Sequence, residues 1–146
     1  MIHTDIDLLK EPVQTKVRLA LDEMNRDEKL KSMGVASVRI NESLRDLAVQ
    51  MAYYSRGRME PKDVQAMYRA AGLWAIGEAE SKNMITWTLD SKHLRGEAAD
   101  LVPIRAGQIW WGAPEAVWTR MGEIGEGHGL KWGGRWKTKD SPHFEV

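Results

Sequence analysis

Ser91-Lys92-His93-Leu94-Arg95-Gly96-Glu97-Ala98-Ala99-Asp100 sets a histidine and an aspartate seven positions apart, with a glycine between them. Two strand ends joined by a glycine turn would aim both side chains at one point. On the C-terminal side, Ala98–Ile104 reads as a strand, and Pro103 suggests an edge strand or a strand end. On the N-terminal side, Met84–Leu89 also reads as a strand.

Further upstream the period becomes helical. Leu9, Val13, Val17, Leu21 and Met24 recur at three- and four-residue steps, which predicts a helix over about 11–25 with Pro12 in its first turn. The charged run Asn25–Lys31 ends in Met33-Gly34, a loop signal. Val35–Ile40 alternates and is β-branched, as a short strand is. Ser43 can cap a second helix whose apolar face is Leu44, Leu47, Ala48 and Met51, ending at Gly57. Pro61 opens a third, with Val64, Met67, Tyr68, Ala71, Trp74 and Ala75 in period to about residue 79.

Downstream, Gln108–Trp111 is a short strand candidate after the Ala106-Gly107 turn. Pro114 opens a fourth helix with Val117, Trp118, Met121 and Ile124 inward, and Gly125, Gly127 and Gly129 break it up. Trp132–Trp136 reads as a loop or short strand, and Phe144–Val146 as a last strand. Helices first and strands later predict an α+β fold: one domain, N-terminal helices packed on a small, mostly antiparallel sheet. Residues 1–34 form a helical arm in this division, and 35–146 the core, with an extra helix at about 60–80.

Composition narrows the chemistry. The 146 residues include no cysteine, seven tryptophans and one phenylalanine, and 21 basic residues balance 21 acidic ones. A chain this long buries about 68–70% of its unfolded surface, so it needs no disulfide or structural metal to fold. Without thiols there is no disulfide scaffold, cysteine nucleophile or zinc finger, and a metal must be held by nitrogen and oxygen. Zero net charge argues against nucleic acid as a partner. The charge is not segregated either: residues 1–50 carry eight Lys/Arg and nine Asp/Glu. No stretch approaches the roughly 20 apolar residues of a membrane span. The N-terminus shows no basic region followed by an apolar core, so synthesis in a cytoplasm without a signal peptide is expected.

The four histidines are His3, His93, His128 and His143. His143 follows Asp140 by three residues, in Asp140-Ser141-Pro142-His143. With His93 and Asp100 this offers two imidazoles, one carboxylate ligand and one spare carboxylate. Zinc hydrolysis uses such a set: three protein ligands, an open position and a nearby base. Spacing alone leaves plainer alternatives open. His93 is also a turn histidine bonded to backbone, and Asp140 an Asx turn before Pro142.

The string Ser91-x-His93-x-x-Gly96-x-Ala98-x-Asp100 resembles the first zinc motif of the metallopeptidases that cut peptidoglycan peptides, the D-alanyl-D-alanine carboxypeptidases and L-alanyl-D-glutamate endopeptidases. Asp140-Ser141-Pro142-His143-Phe144-Glu145 is similar to their second motif. Trp132-Gly133-Gly134-x-Trp136 resembles a run of the endopeptidase branch. Glu42-Ser43-Leu44-Arg45, then Gln50, Tyr54 and Gly57-Arg58, resembles a segment further upstream, with Ser43-Leu44 replacing the usual Gly-Tyr. The likeness spans about residues 38–146, and the helix at 59–83 has no counterpart in it.

This resemblance implies a Hedgehog/D-Ala-D-Ala-peptidase-like fold that carries Zn2+ on His93, Asp100 and His143, with Asp140 as general base. It places Arg45 at the substrate or the transition state. Ser91 and Glu145 become substrate or ligand-orienting contacts, and Trp132 and Trp136 candidates for the cleft wall. The other tryptophans of the last third, Trp110, Trp111 and Trp118, read as core, and Met51, Met67 and Met121 as packing. Lys131, Arg135, Lys137 and Lys139 form a basic patch that is either solvated charge or attraction to an anionic wall or membrane. No acid lies between Glu126 and Asp140, so a calcium loop found in some relatives is not expected.

The activity implied is cleavage of the L-Ala–D-Glu bond of the stem peptide, in the manner of a phage endolysin. The alternatives are a D-alanyl-D-alanine carboxypeptidase and an inactive zinc-holding wall-binding module. The expected protein is a monomer with peptidoglycan stem peptide as partner and no integral membrane segment. It would be made in a host cytoplasm and act in the periplasm after release through a holin pore.

Overall fold

The computed structural model describes residues Met1–Val146. Helices α1 (Val13–Arg26) and α2 (Glu28–Ser32) lead into strand β1 (Ser37–Glu42). Three helices follow: α3 (Leu47–Ser55), α4 (Pro61–Ala70) and α5 (Glu78–Ser81). Strand β2 (Ala98–Arg105), strand β3 (Gln108–Ile109), helix α6 (Glu115–Gly127), strand β4 (Lys131–Trp132) and strand β5 (His143–Glu145) complete the chain. The fold is α+β, with every strand pairing antiparallel.

The sheet runs β1-β2-β5-β4, with β3 paired to the far end of β2. Strand β2 is thus interior, not an edge as Pro103 suggested. The register explains why proline is tolerated there. Pro103 faces Val38, whose own amide and carbonyl turn away from β2 to the Asn25 side chain of α1. The ladder to β1 therefore asks nothing of position 103. On the other side its carbonyl accepts from Trp110 N–H at 2.8 Å.

One core lies between the sheet and the helices α1 and α6. Val13, Val17, Ala20 and Met24 meet Leu101, Val102, Met121, Trp132 and Phe144 in it. The glycines of α6 do not break that helix. A Cβ on Gly122 would meet the Trp132 ring at 2.2 Å, and one on Gly125 the Phe144 ring at 2.3 Å. They are the places where β4 and β5 lie against the helix.

A second, smaller core joins α3 to α4 through Val49, Ala52, Tyr53, Val64, Tyr68, Ala71 and Ile76. Here the structure departs from three sequence expectations. Helix α3 starts after Asp46 rather than Ser43, and its outward face is the one expected inward: Leu47 is 59% and Met51 44% exposed. Its sequence is apolar almost all round, so period alone does not choose a face; packing against α4 does. The expected single helix at 60–80 is two, because Gly72 takes a left-handed φ of +71° after α4 and the chain turns before α5. Finally, Met84–Leu89 forms no strand. Thr86 and Thr88 hydroxyls bond nearby backbone instead, Thr88 Oγ1 accepting from Asp90 N–H at 2.9 Å, and no neighbouring strand offers a ladder.

Candidate metal centre

His93 lies in a 3₁₀ turn, Lys92–Arg95, opened by the Ser91 side chain, which accepts from His93 N–H. Gly96 closes the turn at φ +68°, and a Cβ there would meet the Leu8 carbonyl at 2.9 Å, so only glycine lets the Leu8–Lys10 backbone lie so close. Asp100 stands on β2 opposite His143 of β5 in the strand register. Sheet pairing and a glycine-capped turn thus bring three side chains from 50 residues of sequence to one point.

Their hydrogen bonds fix which atoms face inward. His93 Nδ1 lies 3.1 Å from the Ser43 carbonyl, which only accepts, so Nδ1 carries the proton and Nε2 keeps its lone pair. His143 Nε2 lies 2.9 Å from Glu145 Oε1, so its proton is there and Nδ1 keeps its lone pair. Glu145 is steadied by Lys92 at 2.7 Å. The two bare nitrogens face each other at 3.2 Å, and Asp100 Oδ1 sits 3.4 Å from the first and 3.6 Å from the second. That oxygen is buried without a hydrogen-bond partner. All three ligand atoms fall within 4.8 Å of one another. Three converging acceptors with no donor among them call for a cation, and two imidazoles with one carboxylate suit zinc.

Asp140 joins from the loop before β5, its Oδ2 3.9 Å from His143 Nδ1. That loop is tied at every residue. Asp140 N–H donates to the Gly133 carbonyl at 3.0 Å, and His143 N–H to the Asp140 carbonyl at 3.1 Å. Trp132 Nε1 donates to the Ser141 carbonyl at 2.7 Å, and Leu101 N–H to the Pro142 carbonyl at 2.9 Å. A Cβ on Gly133 would meet the Asp140 carbonyl at 2.4 Å. The Trp132-Gly133 pair is therefore what seats Asp140. Trp132 itself is in the core, whereas Trp136 is 40% exposed and stands with its ring 4.9 Å from the His143 ring.

Arg45 is not a solvated helix-start residue. Its side chain is only 11% exposed. Nε and Nη2 donate to Glu42 Oε1, Nη1 donates to Gln50 Oε1 at 2.8 Å, and the guanidinium lies over the Tyr53 ring at 5.0 Å. Glu42 faces Asp100 across the β1–β2 ladder, beyond a bulge that follows Ile40.

The electrostatics follow from this packing. Burial pushes the Asp100 carboxyl up, but the two histidines outweigh it and hold it far below the usual range. Burial pushes His143 down, while the neighbouring Asp100 and Glu145 carboxylates raise it to about 9. Glu145 is lowered to about 2 by the His143 bond, against burial and with help from Lys92. Burial and the neighbouring Asp100 charge raise Asp140, with His143, His93 and Arg45 opposing.

These groups open on a cleft of about 640 Å³. One wall carries Ser91, Trp136 and Asp140, the other Arg45 and Met84–Thr88. Sequence reasoning missed the role of residues 84–88, because their apolar/polar alternation read as a strand. A second hollow of about 680 Å³, between the N-terminus, α1 and β1, holds no histidine and only Asp5, Arg18 and Arg39 as charges. Of the expected basic patch, Arg135 is paired with Glu126 at 3.0 Å and Lys139 with Glu115 at 3.0 Å. Among the other tryptophans, Trp118 is buried as expected and Trp110 partly so, but Trp111 is 57% exposed.

Residues 84–146 match the model of a family described as D-alanyl-D-alanine carboxypeptidase. That segment contains His93, Asp100, Asp140 and His143, and the match supports a peptidase. The whole chain also superposes on the crystal structure of the Serratia marcescens L-Ala D-Glu endopeptidase ChiX, with a TM-score of 0.60 and 24% identity over 97% of this chain and 82% of that one. The two share a fold. No curated protein matches the chain.

Proposed function

We propose that this chain is a zinc-dependent peptidoglycan hydrolase that cleaves the L-Ala–D-Glu bond of the stem peptide. The observation that carries the reading is the nest of His93 Nε2, Asp100 Oδ1 and His143 Nδ1, three acceptors without a donor, with the Asp140 carboxylate beside it. Zinc held there would acidify a water toward a pKa of about 7 and polarise the scissile carbonyl.

The chain's own groups do the rest. Asp140 takes the proton of the attacking water and hands it to the leaving amine. Its raised pKa makes it a better base than an ordinary surface carboxylate, and the four-bond loop keeps it in reach. Arg45 has five N–H groups, of which Glu42 and Gln50 use three. The remaining two can bind the oxyanion or a substrate carboxylate at the cleft wall. Glu145 and the Ser43 carbonyl hold the two ligand histidines in the tautomers that expose a lone pair to the nest.

Mass spectrometry of muropeptides digested with and without a chelator tests bond and metal together. New D-Glu amino termini that vanish with chelator support the proposal. Loss of hydrolysis in His93→Ala and Asp140→Ala is expected, and full activity in either removes the mechanism. The family description of residues 84–146 favours a second reading, a D-alanyl-D-alanine carboxypeptidase; release of D-Ala with L-Ala–D-Glu bonds intact would establish it. A zinc-loaded protein that binds wall but cleaves no stem peptide would instead be the wall-binding module.

The biological setting belongs to the same proposal: a monomeric phage endolysin, made in the host cytoplasm and reaching the periplasm through a holin pore. No helix is long and apolar enough to cross a membrane. Lysis that requires co-expression of a holin is the expected result.

A further inference from the structure

Gln50 is a fully buried amide on α3 that the reaction chemistry does not use. Its two ends go to two neighbouring parts of one cleft wall. Oε1 accepts from Arg45 Nη1 at 2.8 Å. Nε2 donates to the Thr88 carbonyl at 2.8 Å and reaches Thr86 Oγ1 at 3.4 Å. The segment it reaches, residues 84–89, has no helix or strand of its own, and it presents Met84, Ile85, Trp87 and Leu89 to solvent at 41–67% exposure. Apart from a ladder of local threonine bonds, Gln50 is the side chain that ties its middle to the domain.

An unpaired buried amide is costly, so this one holds its partners as firmly as they hold it. Arg45 gains a fixed fork: Glu42 grips one side and Gln50 the other, so its two free N–H groups keep one direction. Residues 84–88 gain an anchor that sets the width of the cleft. We propose that Gln50 is the positioning residue of this cleft, registering the cationic Arg45 against the apolar 84–88 segment beside it on the same wall, which would hold the substrate peptide. This rests on reading the cleft as a peptidase site, but half of its test does not.

Two substitutions separate the two ends. Gln50→Glu still accepts from Arg45 but cannot donate to Thr88; Gln50→Met keeps the length and loses both bonds. Amide hydrogen exchange over residues 84–90 needs no activity. It should rise about tenfold in both variants, the equivalent of one buried hydrogen bond. On stem-peptide substrate, Gln50→Glu should raise KM severalfold with kcat nearly kept, and Gln50→Met should lower kcat as well. Zinc content should stay at the wild-type level in both, and the melting temperature of the zinc-loaded variants shows that each is folded. If Gln50→Glu does not fold, Gln50→Met alone must show both the faster exchange and the kcat loss. Unchanged exchange over 84–90 overturns the anchoring role, and kinetics in which both variants lose kcat equally overturn the division between the two ends. Exchange that rises as expected in a protein that hydrolyses no stem peptide leaves the anchor standing and defeats the enzymatic reading instead.

Discussion

The two walls of the cleft are held in opposite ways. The Asp140–His143 loop is tied by backbone or core contacts at each of its four residues, and Gly133 lets it lie directly on the neighbouring turn. The 84–88 wall faces solvent and depends on one side-chain amide from α3. Groups that move a proton must keep sub-ångström geometry, whereas a wall that accepts a chain can tolerate adjustment.

Substitutions on the tight wall should therefore cost far more than those on the loose one. Gly133→Ala is the most direct way to break the contrast, because its Cβ would displace the Asp140 carbonyl. A fall in kcat of about a hundredfold is expected with zinc retained, as for a misplacement near 1 Å. Near-normal kcat would show that the loop is more compliant than its hydrogen bonds indicate.

A comparable effect comes from pH. His143 is raised from 6.5 to about 9 by its carboxylate neighbours, so below that pH a proton competes with a cation for its Nδ1 lone pair. A zinc ion would have to displace that proton, so its apparent affinity should rise about tenfold per pH unit before levelling near 9. The same raised pKa stabilises the metal-free fold fully below pH 6.5, and that contribution is lost as pH passes through about 9. Competition titrations at several pH values, with melting curves of metal-free protein, check both signs.

Glu145→Gln sharpens the comparison within the tight side. It weakens the support of one ligand histidine, so zinc affinity should fall about tenfold or somewhat more while the backbone of the loop is untouched. Smallest of all, Trp87→Ala on the loose wall should leave zinc binding unchanged and alter KM only a few-fold. A large kcat loss there would erase the distinction between the walls.

Strands β1 and β2 were legible from residues, since a β-branched alternation and an apolar run after a glycine turn declare themselves locally. Helix α1 was legible too, as its apolar period is long and flanked by charge. The face of α3 was not, because Leu47-Ala48-Val49-Gln50-Met51-Ala52 is apolar on both sides and only α4 selects one. The reading of 84–89 as a strand failed for a related reason. Its alternation is real, but a strand exists only where another strand offers hydrogen bonds. The three groups of the nest and Asp140 were named from the resemblance of two motifs, while the roles of Trp132 and Gly133 in seating Asp140 needed the loop's hydrogen bonds to be seen.

The sequence by itself determined the donor set. With no cysteine and four histidines, a metal could be held only by nitrogen and oxygen, and the resemblance of the two motifs to those of peptidoglycan metallopeptidases pointed to His93, Asp100, Asp140 and His143. Tertiary structure decided which atom of each ring faces the nest, which carboxylate oxygen is left without a partner, and what stands across the cleft. Those are properties of partners distant along the chain, Ser43 for His93 and the strand register for Asp100 and His143. Residue type is written along the chain, but lone-pair direction is set by what lies next to it in space.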